Sequence, residues 1–194
     1  IERLGVIDIG SNSVRLVVFD GAARSPAYFY NEKVICSLGS DLSSDNELNV
    51  LNKNKALATL KRFVLLSKAM GVTLIAVATA AVRNSKDGMA FCQKILQETG
   101  LNVTILNGEE EANLSAQGVL LGWPSADGLV CDLGGASLEL AEISEGTVGK
   151  TTSCPIGPLY LNQFYPKQKL QRDFINSELR KSRKIFSKKY TNIY

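Results

Sequence analysis

The sequence contains no histidine. That removes the commonest general base, the Ser-His-Asp triad and every His-bearing zinc pattern. Any acid–base chemistry falls to carboxylates, Lys, Tyr or Cys. The four cysteines, Cys36, Cys92, Cys131 and Cys154, are too far apart in sequence for a zinc pattern. They read as buried free thiols in a reducing cytoplasm. No apolar run approaches the roughly 20 residues of a membrane-spanning helix, so a membrane partner is not expected. The opening Ile1-Glu2-Arg3-Leu4 is not a secretory signal, because its apolar stretch is short and broken by Asp8. An initiator Met is also absent, and further residues are expected before Ile1.

What remains is an ordinary globular composition, with 45% hydrophobic and 21% charged residues in a chain of 194. That suits one large domain or two small ones. Net charge is only +3, yet residues 151–194 hold nine Lys or Arg against Asp173 and Glu178, a net +7 that leaves the remainder at −4. A basic end suits a polyanion, although an amphipathic helix with one solvated face accounts for most of those charges. Nucleic acid is not expected as the cognate partner, since no basic surface interleaved with aromatics is present.

One hairpin occurs twice. Asp8-Ile9-Gly10-Ser11-Asn12-Ser13 joins two apolar runs, and so does Asp132-Leu133-Gly134-Gly135-Ala136-Ser137. In both, Gly stands two after the Asp and Ser five after it. Turns of small residues aim backbone N–H groups at an anion, and Gly tolerates the positive φ expected there. The Asp at each strand end can hold a metal or orient a water. Two such loops facing each other would grip a chain of phosphates.

Strands are expected over 3–8, 14–20, 27–36, 72–78 and 102–106, with helices over 52–70, 90–98 and 109–120. Residues 40–49 read as a polar loop, and 78–84 as a turn of small residues. After the break at 122–128, residues 128–153 start again with three strands, followed by helices at 158–165 and 168–189. The repeated βββα order predicts a duplicated α/β unit, with a first domain over 1–126 and a second over 127–194. No later strand completes the second sheet, so its second domain is expected to be only partly represented.

A duplicated Asp-x-Gly-x-x-Ser hairpin leading two βββαβα units resembles the actin, Hsp70 and sugar-kinase superfamily. Within it, Asp8 to Leu16 is similar to the first phosphate loop of the exopolyphosphatase and guanosine pentaphosphate phosphohydrolase family, and Asp132 to Leu140 to its second. Ala78-Thr-Ala-Ala-Val-Arg-Asn84, Asn107-Gly-Glu-Glu-Glu-Ala112 and Pro155-Ile-Gly-Pro-Leu159 resemble further family segments in the same order. Ala136, Leu138 and Asn113 depart from the family pattern, Asn113 standing where Arg is common.

The resemblance implies an actin-like (ribonuclease H-like) α/β fold with the second domain incomplete. It also implies hydrolysis of the terminal phosphate of inorganic polyphosphate in the cytoplasm. Guanosine pentaphosphate, the substrate that links the family to the stringent response, is the close alternative. An ATPase of the superfamily and a non-catalytic phosphonucleotide sensor are the more distant ones. A homodimer is compatible with all of these readings. Glu111 is the expected base, with Glu110 in reserve. Gly10, Ser11, Asn12, Ser13, Arg15, Arg83, Gly134, Gly135, Ala136 and Ser137 are expected on the phosphates. Asp132, Glu139 and Asp8 are expected on Mg²⁺.

Overall fold

Valine and isoleucine dominate the opening strands, and their period of two sorts them onto one face. A computed structural model of the chain describes residues 3–21, 27–42, 44–186 and 189–194. Ile1 and Glu2, Ser43 of the expected polar loop, and residues 187–188 of the expected last helix lie outside the described residues. The chain divides into two compact units, Ile1–Leu106 and Asn107–Tyr194.

In the first unit, β1 (Leu4–Ile9), β2 (Ser13–Phe19) and β3 (Tyr28–Ile35) form an antiparallel meander. The helices of this unit are α1 (Val50–Ala69), which follows β3, and α2 (Ala80–Asn84) and α3 (Gly88–Thr99) further on. Strands β4 (Thr73–Ala78) and β5 (Val103–Ile105) add in parallel beside β1, giving the order β3-β2-β1-β4-β5. Alternation turns Ile7, Ile9, Val14, Leu16, Val18, Ala76 and Ala78 to one face, where they pack with Leu60 and Phe63 of α1 and Phe91 and Ile95 of α3. Full burial of each large apolar side chain contributes about 1.5–3 kcal/mol. On the opposite face, the strand register sets Asp8, Arg15 and Lys33 in one row across β1, β2 and β3.

Local chemistry sets the helix ends. α1 starts at Val50 because the Asn49 side chain accepts from the N–H groups of Leu51 and Asn52. The stretch expected as a small-residue turn is instead the single helical turn α2. Ala80, Ala81 and Val82 are buried there, and the Arg83 N–H donates to the Thr79 carbonyl at 2.9 Å. Gly88 then starts α3 where a Cβ would fall 1.9 Å from the Val82 carbonyl oxygen, so the α2–α3 junction admits no side chain.

Asp87, at the head of α3, ties this junction to α1. It accepts from Lys53 Nζ at 2.5 Å and from the Leu48 N–H at 2.9 Å. Burial raises the Asp87 carboxyl, and these two donors more than offset that rise, holding it below the ordinary carboxylate value. A depressed carboxylate stabilises the fold above its unfolded pKa, and that contribution is lost as the pH falls through the lower folded value. Asp87→Asn should therefore cost roughly 1–2 kcal/mol at neutral pH. The difference from the parent should shrink in acid, and denaturant melts at pH 7 and pH 3 check it.

The second unit opens with α4 (Gly108–Gly122), followed by β6 (Gly128–Leu133), β7 (Leu138–Ser144) and β8 (Thr147–Cys154), an antiparallel sheet in that order. Ala112 and Ala116 of α4 pack against Val130, Ala141 and Ile143 on one face of the sheet. The other face holds Leu140, Cys154, Ile156, Leu161 and Phe186, supplied in part by α5 (Pro158–Phe164). α6 (Gln168–Ile185) follows, and its Phe174 and Ile175 pack against the same cluster. Compactness groups α4 with this second sheet, whereas the sequence pattern counts it with the first domain. The reason is its alanine face, which fits closely against β7 and β8.

As expected, no further strand follows β8 among the described residues, but the last residues form an isolated parallel bridge between Leu129 and Ile193. Leu129 N–H donates to Asn192 O, Cys131 N–H to Tyr194 O, and Tyr194 N–H to Leu129 O, at 2.9–3.1 Å. This parallel pairing beside β6 corresponds to that of β4 beside β1. Gly128 makes it feasible, because a Cβ there would lie 2.4 Å from the Asn192 carbonyl oxygen.

Candidate functional site

The two loops close with the same bond. Gly10 N–H donates to Ser13 O, and Gly134 N–H donates to Ser137 O, each at 2.9 Å. The positive φ expected at the loop glycines is not found. Among the described residues, the glycines with positive φ are Gly21, Gly71, Gly100, Gly128 and Gly146. What Gly10 and Gly134 provide is space, since a Cβ would stand 3.2 Å and 3.4 Å from those serine carbonyls. Ala136 likewise has no positive φ and lies buried, so its methyl group is accommodated within the turn.

Each loop is braced from behind by the segment that follows its third strand. The Ser11 carbonyl accepts from Gly39 N–H, and the Asn12 carbonyl from the N–H groups of Cys36 and Ser37, at 2.8–3.0 Å. In the second unit the Gly135 carbonyl accepts from Leu159 N–H at 2.8 Å. Gly157 presses so close that a Cβ would lie 2.4–2.5 Å from the backbone of Gly135 and Ala136. Tying the carbonyls down in this way leaves a loop whose outward character is set by its backbone N–H groups, as an anion requires.

Sequence reasoning marked Pro155–Leu159 as a family segment but missed Cys36–Gly39 and the bracing role of both, although a signal was present. Cys36-Ser37-Leu38-Gly39 and Cys154-Pro155-Ile156-Gly157 share Cys, aliphatic and Gly at the same spacing. The two cysteines are buried, and each lies beside a helix hydroxyl. Cys36 Sγ is 3.8 Å from Thr59 Oγ1, and Cys154 Sγ is 2.9 Å from Ser182 Oγ. All four thiols are free, with Cys131 only half-buried.

In the first unit, Arg15 lies exposed on the face bearing Asp8, and its Nε donates to Asn31 Oδ1 at 2.9 Å. Arg83 Nη1 donates to the Leu106 carbonyl at 2.9 Å, holding the end of β5. The remaining carboxylates fall in the second unit. Register places Asp132, Glu139 and Ser153 in one row across β6, β7 and β8, on the face that α4 covers. The first turn of α4 crosses this row at Ser153, where a Cβ on Gly108 would fall 2.5 Å from the Ser153 Cβ.

Three acidic side chains open α4, and the structure separates their roles. Glu110 closes a capping box: its Oε2 accepts from Asn107 N–H at 2.8 Å, and Asn107 Oδ1 accepts from Glu110 N–H at 2.9 Å. Glu111 is half-buried, and Ser115 lies one helical turn further on the same face. Ser115 Oγ donates to Asp132 Oδ2 at 2.6 Å. Asn113 accepts from Gln117 on its own helix and brings no cation here.

Glu139 is 2% exposed, and Ser153 Oγ donates to its Oε1 at 2.7 Å. Burial pushes its carboxyl above the ordinary value; the Ser137 hydroxyl bond opposes that, and the nearby Glu111 and Asp132 carboxylates reinforce it. Glu139 is therefore engaged by Ser137 of the second loop and by Ser153 of β8, while Asp132 stays exposed. Among the described residues no group of three or more acidic or cysteine side chains gathers around a metal position. The exposed Asp132 carboxylate is of the kind that suits a hard divalent cation.

Residues 17–192 match the Ppx/GppA phosphatase family. The chain belongs to that family. Exopolyphosphatase 1 of Mycobacterium tuberculosis (strain H37Rv) is 30% identical over 159 residues, covering 80% of this chain and 46% of the relative. Exopolyphosphatase 1 of Mycobacterium leprae is 28% identical over 189 residues, covering 91% and 56%. The Ppx/GppA chain thus spans about half the length of the curated relatives it matches. An exopolyphosphatase structure from Cytophaga hutchinsonii has a TM-score of 0.88 at 27% identity, over 99% of this chain and 65% of that one. A family member from Aquifex aeolicus has a TM-score of 0.77 at 28% identity, again over 99% and 65%. The fold of the Ppx/GppA chain is accordingly actin-like α/β, and among the described residues its first unit holds a five-stranded sheet and its second a three-stranded one.

Proposed function

We propose that this protein is an exopolyphosphatase that hydrolyses the terminal phosphoanhydride of inorganic polyphosphate and releases orthophosphate. The observation that carries the reading is the Ser115–Asp132 bond, which joins the Glu111 face of α4 to the Asp132–Glu139–Ser153 row beside the second loop. Exopolyphosphatases among the chain's relatives support the choice of substrate.

In this reading Glu111 takes a proton from a water as its oxygen attacks the terminal phosphorus. The bridging P–O bond breaks, and the shortened polyphosphate leaves with the bond's electron pair. Backbone N–H groups of Gly135 to Ser137 hold phosphate oxygens in the second unit, and in the first unit those of Ser11 to Ser13, with Arg15 and Arg83, are the phosphate donors. Asp132 would be the leading Mg²⁺ ligand in the second unit and Asp8 the corresponding carboxylate of the first, and Mg²⁺ when bound would neutralise phosphate charge. Phosphoryl transfer of this kind is mostly positioning and electrostatics, so a chain without histidine is adequate to it.

Guanosine pentaphosphate uses the same chemistry, and with it goes a cytoplasmic role in the stringent response. No helix among the described residues is long and apolar enough to cross a membrane. Orthophosphate release with Mg²⁺ should be followed in parallel from long-chain polyphosphate and from guanosine pentaphosphate. Faster release from polyphosphate is the expected result. A preference for the nucleotide moves the assignment to a guanosine pentaphosphatase, and release from neither overturns it.

A further inference from the structure

Asp132 is exposed at the end of β6 and has a short side chain with two rotatable bonds. Nothing in its own strand fixes its carboxylate. What fixes it comes from another element, the Ser115 hydroxyl on α4 at 2.6 Å from Oδ2. Ser115 is itself held by its helix. Ala112 and Ala116 on either side of it are 1% and 0% exposed and lock α4 against β6 and β7.

From this we infer that Ser115 is a positioning residue. Its hydroxyl fixes one oxygen of Asp132 and so orients the carboxylate for a divalent cation. The same helical face carries Glu111 one turn earlier, so Ser115 also fixes the spacing between the cation ligand and the base. The inference rests on the exopolyphosphatase reading only in taking Asp132 as a cation ligand. The reason such a hydroxyl matters is general: outer partners set the orientation of a metal ligand, and their loss typically weakens metal affinity 10–100-fold. A hydroxyl can also serve at this position without titrating. Ser153 holds Glu139 in the adjacent strand position in the same way, at 2.7 Å, so the row is oriented by hydroxyls at two points.

The test uses the full chain and Mn²⁺ alone as a probe, with bound metal read by electron paramagnetic resonance and no substrate present. Ser115→Ala should raise the Mn²⁺ dissociation constant by about 10-fold or more. Ser115→Thr keeps the hydroxyl and should stay within about 3-fold of the parent. In turnover assays Ser115→Ala should shift the Mg²⁺ concentration for half-maximal rate upward by a similar factor, with little change in polyphosphate KM at saturating Mg²⁺. Both variants should melt within a few degrees of the parent. Parental Mn²⁺ affinity in Ser115→Ala overturns the inference. So does equal weakening in Ser115→Thr, which would point to packing rather than the hydroxyl. Asp132→Asn run beside them separates the two levels: parental affinity there removes Asp132 as a ligand and overturns the reading beneath. Absence of phosphate release with intact Mn²⁺ effects overturns only the choice of reaction.

Discussion

Glu111→Gln should lower phosphate release by about 10²–10⁴-fold, with KM for polyphosphate changed little. The expectation rests on which of three neighbouring carboxylates is positioned to act. Glu110 is committed to the Asn107 N–H at 2.8 Å and closes the head of α4. A glutamine at that place accepts the same bond, so Glu110→Gln should fall well short of the loss at Glu111. Glu109 is exposed at the helix start, where its charge complements the backbone dipole. Glu111 stands one turn before the serine that holds Asp132, close enough that its charge acts on Glu139. Replacing it removes a base while leaving the capping box and the alanine face of α4 intact, so the melting temperature should move by only a few degrees. Steady-state rates with melting curves for both variants decide the matter. A larger loss in Glu110→Gln would transfer the role, and a small loss in both would remove the carboxylate-activated water.

Much of this arrangement was legible in the sequence because its signals are local. Alternating Val and Ile, the paired Asp-x-Gly-x-x-Ser turns and the Glu-rich helix start each act within a few residues. They predicted the succession of strands and helices along the chain, including the helix that Glu109, Glu110 and Glu111 open. The differences arose where tertiary packing decides. Residues 78–84 read as a turn because Ala, Thr and Ala carry no periodicity, yet Ala80, Ala81 and Val82 bury themselves as one helical turn. The loop glycines suggested positive φ, but their contribution is the absence of a Cβ beside Ser13 and Ser137 carbonyls. The hydroxyl bonds of Ser115 and Ser153 were invisible, since a serine gives no sequence sign of what it will face across a sheet. Gly128 signals the parallel pairing of residues 192–194 only once Asn192 is seen against it.

Gly157→Ala should be among the most disruptive single-methyl changes in the chain. The added Cβ would lie 2.4 Å from the Ala136 carbonyl carbon and 2.5 Å from the Ala136 nitrogen and the Gly135 carbonyl carbon. These are backbone atoms of the second loop, so no side-chain rotation relieves the overlap. Either the loop moves, or α5 retreats and loses the 2.8 Å bond from Leu159 N–H to Gly135 O. Overpacking of this kind costs roughly 3 kcal/mol. For a chain of this size that is about a 6–12 °C fall in Tm. Because the displaced atoms carry the phosphate-facing N–H groups, KM for polyphosphate should rise as well. The control is Gly118→Ala, in the interior of α4, where a Cβ would meet nothing within 4 Å. There the same methyl group should stabilise by roughly 0.5–1 kcal/mol, through helix propensity alone. Opposite signs at the two positions would establish that Gly157 is selected by close approach rather than by flexibility. A Gly157→Ala protein with parental Tm and KM would mean that the second loop is not braced from this side.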